Sequence, residues 1–512
     1  MANPLYDALF ARHLDRADPF LILPDGQTVT YAAFLTQAAQ IAHALVAARV
    51  SPGDRVAAQV AKSAEALALY AACVQAGAVF LPLNTAYTPE ELSYFLENSG
   101  AALVVCDPDA RPVLAPLAAR LAARLHTLDA QGGGTLMADA ATRPRTFDTI
   151  PRADGDLAAL LYTSGTTGRS KGAMLSQGNL LSNARTLTDA WAFTDRDCLI
   201  HALPIFHTHG LFVATNITLL AGGRMVFLPK FDTAQVLGHL PQATAMMGVP
   251  TFYTRLLASP DFTRDLSAHM RLFISGSAPL LEETHRAFEA RTGHRILERY
   301  GMTETNMSTS NPYDGDRRAG TVGPPLPDVD LKITDPDTGA PVCEGQIGVI
   351  EVRGPNVFQG YWQMPDKTAA ELRSDGFFIT GDLARQDSDG YVQIVGRQKD
   401  LIIAGGFNIY PKELELILDD QPGVLESAVI GVPHPDFGES PVAILVPQPG
   451  ATLDMDAIGQ TLDTQLARFK HPRAIKVADA LPRNTMGKVQ KTLLRDQYRS
   501  LFDGSPATPT RR

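Results

Sequence analysis

Ala158-Ala159-Leu160-Leu161-Tyr162-Thr163-Ser164-Gly165-Thr166-Thr167-Gly168-Arg169-Ser170-Lys171-Gly172 is the stretch on which the reading of this chain turns. Apolar Ala158–Tyr162 reads as a buried strand, and small and hydroxyl-bearing residues follow it at once. Such residues let backbone N–H groups close on a polyphosphate, while a lysine adds positive charge. A flexible Ser/Thr/Gly connection is the bland alternative, but glycines, paired hydroxyls and a closing lysine in so short a run speak against it. A Walker A loop would carry a Ser or Thr directly after Gly-Lys. Here Arg169 and Ser170 separate Gly168 from Lys171, and Gly172 follows, so a P-loop NTPase is disfavoured.

Upstream, short apolar runs alternate with amphipathic stretches. Arg55–Val60, Val79–Leu83 and Ala102–Cys106 read as strands, with Ala64–Gln75 and Pro89–Glu97 as helices between them. Downstream the rhythm continues through Leu199–Pro204, Met225–Leu228, Thr244–Gly248 and Arg271–Ile274, with helices at Phe252–Ala258 and Leu281–Thr292. This alternation predicts an α/β fold with doubly wound, largely parallel sheets. The Gly/Thr/Arg/Pro-rich segment Gln131–Asp156 reads as an exposed connection. From about Gly320, short runs such as Asp330–Ile333, Gly348–Val352 and Tyr391–Val395 predict a small β-subdomain. A compact α+β segment follows, closing in a helix near Lys491–Leu501. The expected division is an N-terminal domain over 1–396, a C-terminal domain over 397–503 and a disordered tail over 504–512.

Composition narrows the class. At 512 residues the chain exceeds one core, and 45% hydrophobic with 20% charged residues is ordinary for a globular protein. A net charge of −10 argues against nucleic acid or an anionic membrane as the main partner. Neither a leader-like N-terminus nor a membrane-length apolar run is evident, so a soluble, cytoplasmic protein is expected. Cys73, Cys106, Cys198 and Cys343 are widely spaced beside apolar segments and are expected to be buried free thiols.

Further motifs follow the phosphate loop: Ser275-Gly276-Ser277-Ala278-Pro279, Tyr300-Gly301-Met302-Thr303-Glu304, Thr380-Gly381-Asp382, Gly396-Arg397-Gln398-Lys399-Asp400 and Pro482-Arg483-Asn484-Thr485-Met486-Gly487-Lys488. In this order, over nearly the whole chain, they resemble the superfamily of acyl-CoA synthetases, peptide-synthetase adenylation domains and luciferases. Ser170 departs from the usual Pro, and Gln177 from the His many members have; neither carries the chemistry. The resemblance implies an enzyme that uses ATP and Mg²⁺ to activate a carboxylic acid as an acyl-adenylate and passes the acyl group to coenzyme A.

By the same resemblance, Thr163, Ser164, Gly165, Thr166, Thr167, Gly168 and Lys171 hold phosphate. Gly276, Ser277, Ala278, Glu298, Arg299, Tyr300, Gly301 and Thr303 belong to the nucleotide site, with the Tyr300 ring against adenine. Asp382 takes the ribose hydroxyls and Arg397 contacts ribose or phosphate. Glu304 is the Mg²⁺ ligand. Lys488 is the catalytic cation, suited to charge that builds between the carboxylate and the α-phosphate. Lys399 is the hinge of a mobile domain, although a solvated linker lysine would read much the same. Gly405 and Gly406 line a pantetheine tunnel, or simply turn the chain. Acylation of Lys488 by a lysine acyltransferase, common among related enzymes, would remove its charge.

Leu203–Gly210, Gly248–Arg255, Glu298–Met307 and Asn311–Gly315 further resemble the malonyl-CoA synthetase branch. His207 resembles the residue beside the acyl site, with Ser277 and Met302 as pocket walls. A second carboxylate must be paired, and Arg255 is the cation expected to do so; the alternative is an exposed helical arginine. A fatty- or aromatic-acid synthetase, a carrier-loading adenylating enzyme, a non-catalytic nucleotide-binding regulator and a luciferase-like oxygenase remain open alternatives.

Overall fold

The computed structural model describes residues 3–163, 170–336, 338–404, 407–435, 437–484 and 487–502. The chain forms two compact units: Met1–Leu331 with Val352–Phe378, and Lys332–Glu351 with Ile379–Arg512.

The first unit is built on two sheets. One runs, from edge to edge, through Arg124–Thr127, Leu103–Cys106, Arg55–Gln59, Val79–Pro82, Leu157–Thr163 and Lys171–Ser176. Its strands are parallel except the last, which turns back antiparallel on Leu157–Thr163, pairing Thr163 with Lys171. The expected parallel rhythm thus breaks at the motif itself: the two ends of the phosphate loop are neighbouring strands. The second sheet orders Asn306–Ser310, Leu297–Met302, Leu272–Ser275, Ala245–Gly248, Cys198–His201, Arg224–Phe227, Pro19–Ile22 and Thr28–Thr30, parallel within and antiparallel at both edges. Its central strands, Leu272–Ser275, Ala245–Gly248 and Cys198–His201, are wholly buried, which is why they are apolar without alternation.

The second unit holds most of a four-stranded sheet, Asp330–Thr334, Gly348–Arg353, Phe378–Gln386 and Val392–Arg397. A five-stranded sheet follows, with Val424–His434 and Gly438–Pro447 at its centre. One face packs Val429, Ala443 and Leu445 against the helices Pro411–Asp419 and Met455–Gln465. The other packs Ile430, Val442 and Ile444 against Leu481 and Leu494.

Two expectations are corrected. Gln131–Asp156 is not all exposed connection: Thr135–Ala140 is helical and buries Leu136 and Ala140. The apolar pair at i and i+4 suffices for one short turn of helix despite the flanking glycines. Cys343 is exposed while the other three thiols are buried, because it lies outside the helix and strands that hold them. No helix among the described residues is long and apolar enough to cross a membrane.

Candidate active site

Glu304 sits in the tight turn between Leu297–Met302 and Asn306–Ser310. The turn is pinned from outside. Asn356 Nδ2 donates to the Thr305 carbonyl at 2.6 Å, Asn306 Nδ2 donates to the Asn356 carbonyl at 3.1 Å, and Phe358 N–H donates to the Glu304 carbonyl at 2.8 Å. The buried carboxylate accepts from Tyr361 Oη at 3.1 Å and from Thr163 Oγ1 at 3.4 Å. Tyr361 also reaches Glu371 at 2.7 Å, and Lys171 Nζ pairs with Glu371 at 3.1 Å and touches Tyr361 Oη at 3.1 Å. Burial, then Glu304, push the Tyr361 phenol far up, so it stays a donor. Burial works against ionised Glu371, yet Lys367, Tyr361 and Lys171 together hold its carboxyl below the ordinary range.

Thr163, Lys171 and Glu304 therefore converge where the phosphate loop begins and ends; Ser164, Gly165, Thr166, Thr167 and Gly168 lie outside the described residues. No cluster of three metal-ligating side chains occurs among the described residues. One buried carboxylate fits Mg²⁺ completed by substrate phosphate and water, the usual mode for that ion.

A second group forms where Leu272–Ser275 ends. Ser277 holds φ 71°, an unusual conformation for a non-glycine residue, and faces His209 with Oγ 3.1 Å from Nδ1. His209 opens a π-helical turn, His209–Thr215, a distortion that often accompanies function. Gly210 is required there, since a Cβ would meet the Pro204 carbonyl oxygen at 2.0 Å. Burial lowers the His207 imidazole to about 4. Burial, then Arg299, His201 and His207, lower that of His209, so both rings are neutral at pH 7. Arg299 is buried against Gly276, with Nε and Nη2 enclosed and unpaired among the described residues. Burial lowers its pKa to about 9, against the opposing pull of Tyr253 and Glu298. Glu298 is buried and accepts from Leu280 N–H at 3.3 Å; Ala278, Tyr300, Gly301, Met302 and Thr303 are half-buried beside these residues in the chain.

Arg255 does not join this group. It lies exposed in the last turn of Pro250–Ala258, its Cζ 6.0 Å from the Phe231 ring centroid, as expected of a surface helical arginine.

In the second unit, antiparallel pairing sets Asp382 opposite Arg397, and Arg397 Nε binds Asp382 Oδ1 at 2.9 Å. Lys488 N–H donates to Asn484 Oδ1 at 2.9 Å, which fixes the base of its side chain. Its ammonium has no hydrogen bond or ion pair among the described residues. Burial, then the Arg397 charge, lower it to about 8, with Asp382 opposing. Lys399 is exposed in the turn Gln398–Asp400, and Asp400 pairs with Arg495 at 2.8 Å. Gly405 and Gly406 lie outside the described residues.

Tyr361, Glu371 and His209 were not assigned from sequence. Gly360-Tyr361-Trp362 carried a signal in its aromatic pair, but nothing local ties it to Glu304.

The AMP-binding enzyme family model matches residues 10–362, and that of the AMP-binding enzyme C-terminal domain matches 413–488. ATP-bound MatB from Rhodopseudomonas palustris superposes with a TM-score of 0.96 at 57% identity, covering 98% of this chain and 99% of that one. A feruloyl-CoA synthase from Amycolatopsis sp is 39% identical over 92% of this chain and 94% of its own. A malonate–CoA ligase from Arabidopsis thaliana is 32% identical over 96% of this chain and 88% of its own.

Proposed function

The chain belongs to the AMP-binding enzyme family and is an ATP-dependent, AMP-forming acyl-CoA ligase, and from that premise we propose that its acid is a small dicarboxylate, malonate or methylmalonate. One observation carries this reading: Nε and Nη2 of Arg299, both enclosed and unpaired, lie on the same edge of the guanidinium. That edge takes a carboxylate through two parallel hydrogen bonds. A buried guanidinium edge without acceptors is costly, and a second carboxylate on the acid would offset that cost. Arg299 thereby takes the role that the sequence suggested for Arg255. Similarity to a malonate–CoA ligase supports the reading, whereas similarity to a feruloyl-CoA synthase keeps an aromatic acid in the test.

In the reaction the acid's carboxylate attacks the α-phosphorus of ATP and pyrophosphate leaves. The CoA thiolate then attacks the acyl carbon and AMP leaves. We assign Glu304 to Mg²⁺, with Thr163 and Lys171 flanking the phosphates; Lys171 would exchange Glu371 for phosphate oxygen. Asp382 would take the ribose hydroxyls and Lys488 the charge shared by carboxylate and α-phosphate. The hinge at Lys399, the domain boundary after Gly396 and the tunnel at Gly405–Gly406 belong to the same proposal. The lowered pKa of Lys488 leaves part of it as free amine, the form a lysine acyltransferase would modify.

The test is pyrophosphate release with malonate, methylmalonate, acetate, octanoate and benzoate, with and without CoA, for wild type, Arg299→Gln and Arg255→Ala. Arg299→Gln should lose about 30-fold or more in kcat/KM for malonate, roughly 2 kcal/mol, and little for acetate. Equal losses on both acids, or a wild type that prefers benzoate, would overturn the dicarboxylate reading.

A further inference from the structure

Lys62 lies between the buried strand Arg55–Gln59 and the helix Ala64–Gln75, where nothing in local folding asks for a charge. Its ammonium turns inward. Nζ lies 2.8 Å from His201 Nδ1, 2.7 Å from the His201 carbonyl and 2.9 Å from the Leu203 carbonyl. It also lies over the Phe227 face, 4.3 Å from the centroid. On the far side of the imidazole, Nε2 lies 2.8 Å from the Gly210 carbonyl. Thr215 Oγ1 donates to that same carbonyl at 3.0 Å, so its proton is not available to Nε2.

The protons can be counted. A carbonyl only accepts, so His201 O and Leu203 O each need an N–H from Nζ, and Gly210 O needs Nε2–H. The Nζ–Nδ1 contact needs one more, whichever nitrogen carries it. Four protons are required, whereas a neutral amine and a neutral imidazole supply three. Burial lowers both the Lys62 ammonium and the His201 imidazole well below their ordinary values. The acceptors around them nevertheless require the fourth proton, so the hydrogen bonds place one net positive charge on the pair, and no carboxylate bonds to either residue among the described residues. Because the chain of contacts ends on Gly210, it also ties the loop before Ala64–Gln75 to the turn that carries His207 and His209.

We propose that Lys62 is a specificity-determining residue: with His201 it keeps one positive charge behind the His207–His209 turn, which favours acids bearing a second negative group. A buried cation lacking a counter-ion is costly, and an anionic substrate tail beside it recovers part of that cost. Gly210, the acceptor for His201 Nε2, directly follows His209, whose Nδ1 faces Ser277 Oγ, so the charge stands one residue behind that site. This inference rests on the dicarboxylate reading above, but the charge itself is measurable without it.

In wild-type protein labelled with ¹⁵N-lysine and ¹⁵N-histidine, the Lys62–His201 pair should show four protons at pH 7; three would overturn the proposal. Lys62→Gln keeps two N–H donors and removes the charge. It should lose at least about tenfold in kcat/KM for malonate through KM, with acetate and ATP changed less than about threefold. His201→Gln preserves both links, its amide oxygen accepting from Lys62 and its N–H donating to Gly210, and should retain the selectivity. Equal losses on malonate and acetate in Lys62→Gln, or lost selectivity in His201→Gln, would overturn the role. Should Lys62→Gln fail to fold, the wild-type spectra and His201→Gln decide. A wild type that ignores malonate but shows four protons would refute the dicarboxylate reading and leave the charge standing.

Discussion

Gly276 lies so close to Arg299 that a Cβ at position 276 would come within 2.3 Å of the guanidinium carbon. The glycine is thus a spacing device for a charged group. Gly276→Ala should push the guanidinium aside and lower kcat/KM for malonate about tenfold, ~1.4 kcal/mol, with a smaller effect on acetate. Pyrophosphate release with each acid checks this, and equal losses would show that Gly276 serves the nucleotide alone.

Tyr361 Oη lies between Glu304 and Glu371, within 3.1 Å of both carboxylates. Tyr361→Phe removes that donor and leaves buried Glu304 and half-buried Glu371 without the hydroxyl between them. A stability loss of about 1–3 kcal/mol is expected in urea unfolding, together with a higher Mg²⁺ requirement for adenylation. An unchanged Mg²⁺ titration would count against Glu304 as the metal ligand.

Lys488 should act in the first half-reaction only. Lys488→Ala should abolish adenylation and spare transfer from preformed acyl-AMP. Because burial lowers the ammonium to about 8, the needed form is lost as pH rises through that value. The kcat/KM for adenylation should therefore fall on an alkaline limb near pH 8, which Lys488→Arg should move out of range. Stopped-time assays of each half-reaction from pH 6 to 10 test this.

His207 is buried neutral, its imidazole lowered from 6.5 to about 4. Below pH 6.5 the unfolded chain binds a proton that the native ring refuses, so native stability is full above 6.5 and declines toward pH 4. Urea unfolding at pH 7.0 and 5.0 should show this decline, and His207→Gln should reduce it. An identical slope in the variant would mean the ring titrates normally in the native state.

The layered α/β architecture was legible because fully buried parallel strands must be apolar runs and the helices between them amphipathic. That Thr163, Lys171 and Glu304 belong together was legible from the motifs that carry them, and the structure brings these three side by side. What escaped was long-range. Lys62 looks like any lysine beside a helix start, and only pairing of Cys198–His201 within the sheet core brings His201 beneath it. Tyr361 reaches Glu304 across 57 positions, and Glu371 reaches Lys171 across 200. Arg255 was the reverse case: it sits near the pocket in sequence, but its helix turns it to the surface, while Arg299, one residue before Tyr300, turns inward.

The hydrogen bonds from Thr163, Tyr361 and Phe358 to Glu304 have a kinetic meaning beyond placement. The Thr163 contact ties the hairpin carrying Glu304, the proposed Mg²⁺ ligand, to the strand Leu157–Thr163, and those from Tyr361 and Phe358 hold the same turn from the other side. A substitution that loosens this link should be felt as slower productive capture of ATP before it is felt as a weaker fold.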